Sequence, residues 1–204
     1  MTADPTSPLH AWTDGLAALA PVLAVAERPF RSQLTVRVSD PEAIAAAGSA
    51  LGVPFPSTPC TFTTGSGPFG DVEVLWLGPG EFLVVAGPGL QIAIEEVVRD
   101  ALGTARGSVV DTSAQRTTVV LEGPLVRDVL AHGCSVDLHP SSAPAGTCVQ
   151  TLLARTGIVL QVTGEDAFTV LVRSSFAGYL AAWICDACVE YLAAEVTAPG
   201  TVGA

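Results

Sequence analysis

Apolar and polar residues alternate with a period of two over 33–38, 72–77, 82–86, 117–121, 150–153, 158–162 and 168–172, and each run predicts a strand. Between these runs the apolar spacing widens to three and four residues, which predicts helices over 41–51, 90–102, 124–131 and 176–192. In 90–102, Leu90, Ile94, Val97, Val98 and Leu102 share one side while Glu95, Glu96, Arg99 and Asp100 fall elsewhere, so one face is expected to be buried. The starts of the helices carry their own signals. Asp40 is a residue type that caps helices, Pro41 presets helical φ, and Glu42 places negative charge on the first turn. Gly123 and Pro124 repeat that arrangement.

Strands and helices mixed in this order predict an α+β fold. The two halves of the chain also resemble each other. A strand, a cap and a helix from Pro41 recur as a strand, Gly123 and a helix from Pro124, 83 residues on. A strand, Gly80-Glu-Phe82 and a second strand recur around Gly164-Glu-Asp-Ala-Phe168, where Phe168 follows Phe82 by 86 residues. This near-constant offset predicts duplicated βαββα, ferredoxin-like halves. They form pseudo-repeats of about 22–106 and 107–196, packed as a single α+β domain over 22–196. The stretches 57–70 and 140–146 are rich in Pro, Gly, Ser and Thr but short enough to be loops within that domain. Residues 1–21 are expected to be loosely ordered and 197–204 to form a flexible tail.

Composition narrows the function classes. Twenty acidic groups face nine arginines and no lysine, a net charge of −11, which excludes the basic surface that nucleic-acid binding requires. Only 14% of residues are charged against about 25% in ordinary soluble domains. With 49% hydrophobic residues, apolar surface is left over for contact with other chains. The apolar run 16–26 is too short to span a bilayer and contains Pro21, so no membrane is expected as a partner. Five cysteines cannot all pair within one chain, and the first ten residues carry Asp4 and no Lys or Arg, so reduced thiols in a cytoplasm are expected.

Four motifs invite chemistry. Gly65-Ser-Gly67-Pro-Phe-Gly70 has the spacing of a dinucleotide fingerprint, but a strand pattern follows it where a helix is required, so it reads as a hairpin-type loop. Cys185-Asp-Ala-Cys188 has the spacing of half a zinc site or of a redox pair. It lies in a helical pattern with no second pair among Cys60, Cys134 and Cys148, which favours buried free thiols. His132, Cys134, Asp137 and His139 crowd into the loop after the 124–131 helix; each type can ligate metal or move protons, and each also serves turns and caps. Asp111, Gln115 and Arg116 lie between two strand-like runs. Arg116 can clamp a carboxylate in two ways, by default one inside the chain, otherwise one from a partner chain.

Several segments carry a family resemblance: Val109-Val-Asp-Thr-Ser-Ala-Gln-Arg-Thr-Thr, Leu121-Glu-Gly-Pro124, Arg127-Asp-Val-Leu130, Gly133-Cys-Ser-Val-Asp-Leu-His-Pro140 and Gln150-Thr-Leu-Leu153. Together they resemble the gamma subunit of heterotetrameric sarcosine oxidase over about 22–194, most specifically in 133–140. More distantly the chain resembles the N-terminal region of glycine-cleavage aminomethyltransferases and their folate-binding relatives, a fold also built from duplicated βαββα halves.

The resemblance implies an accessory, noncatalytic subunit of a cytoplasmic complex with alpha, beta and delta partners. That complex oxidises sarcosine to glycine with O2 and passes the one-carbon unit to tetrahydrofolate. FAD, FMN, NAD and tetrahydrofolate are implied for the partner subunits, and no cofactor for this chain. Asp137 falls where the aminomethyltransferases keep an acidic residue in a Thr-Asn-Asp stretch; here Ser135 and Val136 precede it, so only the carboxylate matches. Arg116, Asp137 and His139 are the interface candidates. Two alternatives stay open: a stand-alone folate-dependent one-carbon protein with Asp137 facing a pterin, and a zinc protein using Cys185 and Cys188.

Overall fold

Period-two alternation with both faces apolar produces strands that are covered on two sides, and the central strands here are of that kind. The computed structural model describes residues 5–197. A 3-10 turn at His10–Trp12 leads into α1 (Thr13–Ala17), followed by β1 (Ala24–Arg28), β2 (Arg31–Val38), α2 (Pro41–Leu51), β3 (Phe62–Gly67), β4 (Gly70–Gly78), β5 (Glu81–Pro88) and α3 (Gln91–Leu102). Then come β6 (Gly107–Asp111), β7 (Arg116–Glu122), α4 (Val126–Ala131), β8 (Cys148–Leu153), β9 (Thr156–Gly164), β10 (Ala167–Arg173), α5 (Ala177–Ala187) and α6 (Val189–Thr197).

The strands form two antiparallel sheets of five, ordered β1-β7-β10-β9-β8 and β3-β4-β5-β2-β6. Each sheet borrows an edge strand from the other part of the chain. β1 precedes β2 in sequence yet pairs with β7, setting Val25 opposite Leu121, while β6 precedes β7 yet pairs with β2, setting Val109 opposite Val36. Starting from the borrowed strand, the two sheets place corresponding elements in the same order.

Side chains alternate between two environments. On the outer face of the first sheet, Leu121, Leu160, Phe168 and Val170 pack under Leu16, Val129, Leu130, Leu180 and Ile184. On the second, Leu34, Val36, Val74, Phe82 and Val84 pack under Ala47, Leu51, Ile94 and Val98. The inner faces meet through Leu75, Leu77, Leu83, Val85, Cys148, Val159 and Leu171. Each fully buried Leu, Ile or Phe stabilises by about 1.5–3 kcal/mol, so the helices are held mainly by these contacts. Polar bridges also cross between the sheets: the Gln33 amide donates to the Arg116 carbonyl at 3.0 Å, and the Gln161 amide donates to Glu73 at 2.9 Å.

The start of α2 agrees with its sequence signal. Asp40 Oδ1 accepts from the Ala43 N–H at 2.8 Å, a cap contributing about 1 kcal/mol. Three expectations differ from the structure. The helix predicted from Pro124 after Gly123 starts at Val126, with Leu125 at its N-cap. Part of the segment expected to be loose, 1–21, packs down, because Leu9, Leu16 and Leu19 are buried in the first sheet's core. The helix predicted over 176–192 is two helices broken at Cys188; of the predicted tail 197–204, Thr197 ends the second helix and 198–204 lie outside the described residues. Ser174–Ala193, not 16–26, is the run with the length and mean hydropathy (1.2) of a membrane-crossing helix. Its Ala177, Leu180, Ala181, Ile184 and Cys188 nonetheless belong to the core, while Phe176, Tyr179 and Val189 are exposed.

Candidate functional site

The loop after α4 holds most of the chemistry-bearing residues, and α4 fixes where it starts by burying Val126, Val129 and Leu130. Asp137 is exposed and both its oxygens are engaged within the loop: Oδ1 accepts the His139 N–H at 2.9 Å and Oδ2 accepts the Ser142 hydroxyl at 2.6 Å. These two bonds hold its carboxyl below the ordinary range, the Ser142 contact foremost. The His139 ring lies 2.8 Å from the Ser141 hydroxyl, and its carbonyl accepts the N–H groups of Ser142 and Ala143. The loop therefore closes on itself, with Leu138 and Ala143 turned into the core.

From beneath, Arg127 ties this loop down, a role the sequence signals do not reveal. Its guanidinium donates to the carbonyls of Glu165 at 2.9 Å, Leu138 at 2.5 Å and Ala143 at 3.3 Å, and its Cζ lies 5.0 Å from the centroid of the Phe168 ring. One planar cation satisfies three backbone acceptors on two loops, a geometry that lysine cannot reproduce.

The residues that crowd together in sequence take separate partners. His132 Nε2 lies 2.9 Å from the Tyr191 hydroxyl and 2.9 Å from Glu190, on the side facing α6. Cys134 is half-buried beside Leu153, and burial pushes its thiol up, the reverse of what activates a nucleophile. Cys188 is buried at the end of α5 with its thiol pushed up to about 11, first by burial and then by Cys185. Cys185 approaches the Gly15 carbonyl at 4.0 Å. Among the described residues, no three His, Cys, Asp or Glu side chains converge as metal ligands.

The glycine-rich motif has a structural explanation. It spans β3 and the start of β4, an antiparallel pair with Gly67 opposite Gly70. A Cβ on Gly67 would stand 2.4 Å from the Leu51 carbonyl oxygen, and Gly70 turns the chain at φ +71°. The glycines thus admit close backbone packing and a tight turn, and no helix begins here to receive a pyrophosphate. Nearby, a groove of about 560 Å³ runs along α2, lined by Ile44, Ala45, Gly48, Val53, Pro54 and Phe55, none of them titratable.

Arg116 departs from its default expectation. Among the described residues no carboxylate lies within ion-pair distance of it; Asp111 instead accepts from Ser113, and Glu81 pairs with Arg37 at 3.3 Å. The register of β7 with β10 places Arg116 directly opposite Arg173.

Comparison with known proteins sets these features in a family. Residues 36–190 match the sarcosine oxidase, gamma subunit family. Sarcosine oxidase subunit gamma from Corynebacterium sp. (strain U-96) is 37% identical over 171 residues, 83% of this chain and 81% of that protein. The subunit from Arthrobacter sp. is 35% identical over 178 residues, 87% and 85% of the two chains. A chain of the solved heterotetrameric sarcosine oxidase from Corynebacterium sp. U-96 superposes with a TM-score of 0.82 at 33% identity, covering 92% of this chain and 96% of that one. The glycine cleavage system aminomethyltransferase T from Bartonella henselae shares the fold, with a TM-score of 0.66 at 16% identity over 89% of this chain and 57% of that one. With a family match across most of its length and relatives above one-third identity, this chain belongs to the sarcosine oxidase gamma subunit family.

Proposed function

We propose that this chain is the gamma subunit of a heterotetrameric sarcosine oxidase and acts there as a noncatalytic scaffold, docked against alpha, beta and delta subunits in the cytoplasm. The partner subunits bind FAD, FMN, NAD and tetrahydrofolate. The observation that carries this reading is the two-way coverage: the superposition takes in nearly the whole of this chain and nearly the whole of a chain from that complex. The chemistry of the side chains supports the same reading. The thiols of Cys134, Cys148, Cys185 and Cys188 are pushed up, and both oxygens of Asp137 are spent on its own loop. None of these four thiols is thereby prepared as a nucleophile, and the Asp137 carboxylate serves its own loop.

The experiment is a pull-down. The tagged chain, co-expressed with alpha, beta and delta subunits of a heterotetrameric sarcosine oxidase, is expected to bring all three partners through purification with O2-dependent sarcosine oxidation. A chain that emerges alone and monomeric, while its partners assemble and turn over without it, would refute the assignment.

A further inference from the structure

β7 and β10 are antiparallel neighbours, and their register sets Arg116 opposite Arg173. Directly opposed residues share a face of the sheet, and like charges placed there repel. The described ion pairs of arginine are Arg31–Glu73, Arg37–Glu81 and Arg99–Glu95, so neither member of this arginine pair is neutralised by a described carboxylate. Arg116 Nη1 is fully buried without a hydrogen-bond partner. Burial foremost, and the Arg173 charge next, hold the Arg116 guanidinium below its ordinary pKa, with Glu81 opposing from beyond ion-pair distance. Nη1 itself is closed to an incoming group, but Arg116 as a whole is only half-buried and lines the same recess as Arg173, and two guanidinium groups in one recess draw a carboxylate.

The two arginines line a recess of about 310 Å³ whose other walls include Gln150, Gly157 and Val159. The Gln150 amide is engaged, donating to the Leu77 carbonyl at 2.8 Å. Gly157 leaves the floor open: a Cβ there would meet nothing within 4 Å. Exposed apolar side chains lie on, or follow, the strands that wall the recess. Leu152 sits opposite Gly157 across β8 and β9 and is 50% exposed. Phe176 and Tyr179, 43% and 40% exposed, lie three and six residues after Arg173, with ring centroids 6.5 Å apart. The Tyr179 hydroxyl accepts the Arg155 N–H at 3.3 Å, which holds that ring over the β8–β9 turn.

We propose that this recess receives the carboxylate of an Asp or Glu side chain from another subunit, held by Arg116 and Arg173, with Leu152, Phe176 and Tyr179 packing on the partner surface around it. This deepens the subunit reading above and rests on it. A free small carboxylate fits the arginines but leaves the three apolar side chains in water, whereas a protein surface covers both. An arginine centre with aromatic neighbours is the composition of an interface hot spot. In a chain of net charge −11, it is also a local positive site to which an acidic partner group is drawn.

The test compares the wild type, Arg173→Glu and Gly157→Leu, each tagged and co-expressed with the remaining subunits. Arg173 is exposed and Gly157 has open space above it, so both variants are expected to fold. Arg173→Glu places a carboxylate beside Arg116 and is expected to hold or raise the melting temperature of the isolated chain, while Gly157→Leu fills the recess without changing charge. Both are expected to weaken assembly by about tenfold or more, read from the concentration at which the complex dissociates. If the wild type and both variants assemble equally, the docking site is overturned and the subunit reading survives. If the wild type does not assemble at all, both fall. If the isolated wild type binds acetate saturably, Arg173→Glu abolishes that binding and assembly is unchanged, the recess belongs to a small carboxylate and the docking proposal is overturned.

Discussion

Replacing Arg127 with methionine keeps an unbranched apolar stem and removes the cation that joins α4 to two loops. Three donated bonds disappear, to the carbonyls of Glu165, Leu138 and Ala143, together with the stacking over Phe168. The Glu165 contact is exposed and water replaces it; the other two are part-buried and leave acceptors short of donors. Adding the lost cation–π contact, the expected destabilisation is about 2–3 kcal/mol. For a chain of this size that corresponds to a fall in melting temperature of roughly 5–10 °C. Urea denaturation checks it directly, with the midpoint expected to fall at unchanged m-value. Arg127→Lys, which keeps the charge but not the planar fork, is expected to recover no more than about half of the loss. A midpoint within about 0.5 kcal/mol of the wild type, the ordinary range for a surface substitution, would refute the role assigned to Arg127.

Two further outcomes follow from the titrating groups. Thiol labelling at about pH 8 is expected to modify exposed Cys60 first, while Cys148, pushed up to about 12, and Cys188, pushed up to about 11, react only after unfolding; rapid labelling of all five would contradict the burial assigned to them. Asp137 has a folded pKa below its ordinary 3.8, so its ionised form orders the loop above that value and the contribution is lost as pH falls below it. Asp137→Asn is therefore expected to lower amide protection at His139 and Ser142 near pH 6, with the difference from the wild type closing as the carboxyl is protonated below 3.8; a difference that persists in acid would point to another cause.

The sequence pattern located every strand interior to a sheet and one edge strand, β8, and missed the other three edges. All seven predicted strands form, and the helix over 41–51 forms with the predicted bounds. The three strands it lacks, β1, β3 and β6, are all sheet edges. β6 buries only Val109, β1 buries none of its five residues, and β3 is Phe-Thr-Thr-Gly-Ser-Gly, so main-chain pairing rather than an apolar repeat defines them. The exchange of β1 and β6 between sheets was invisible for a related reason. It is specified by pairings such as Val25 with Leu121, far apart in sequence, which no local window contains. The duplication was visible only through its spacing.

The sites divide along the same line. Local chemistry was legible: Asp40 caps a helix, and the Gly65–Gly70 motif was recognisable as a hairpin because a strand follows it. Non-local chemistry was not. Arg127 gave no signal because its acceptors are backbone carbonyls up to 38 residues away. Arg116 looked destined for an internal carboxylate, and only the pairing of β7 with β10 sets it against another arginine. Crowding in sequence was equally poor evidence of a cluster, since His132 turns towards Glu190 and Tyr191 while Asp137 and His139 serve their own turn.

Whether the corner formed by Arg116, Arg173, Phe176 and Tyr179 is covered in the assembled enzyme is best measured by oxidative footprinting of the two aromatic side chains. At 43% and 40% exposure, both are expected to label readily in the isolated chain. In the purified complex both are expected to be protected several-fold, and Arg173→Glu is expected to restore labelling at matched concentration. Equal labelling of Phe176 and Tyr179 in the free and assembled states would contradict a gamma subunit that docks through this face.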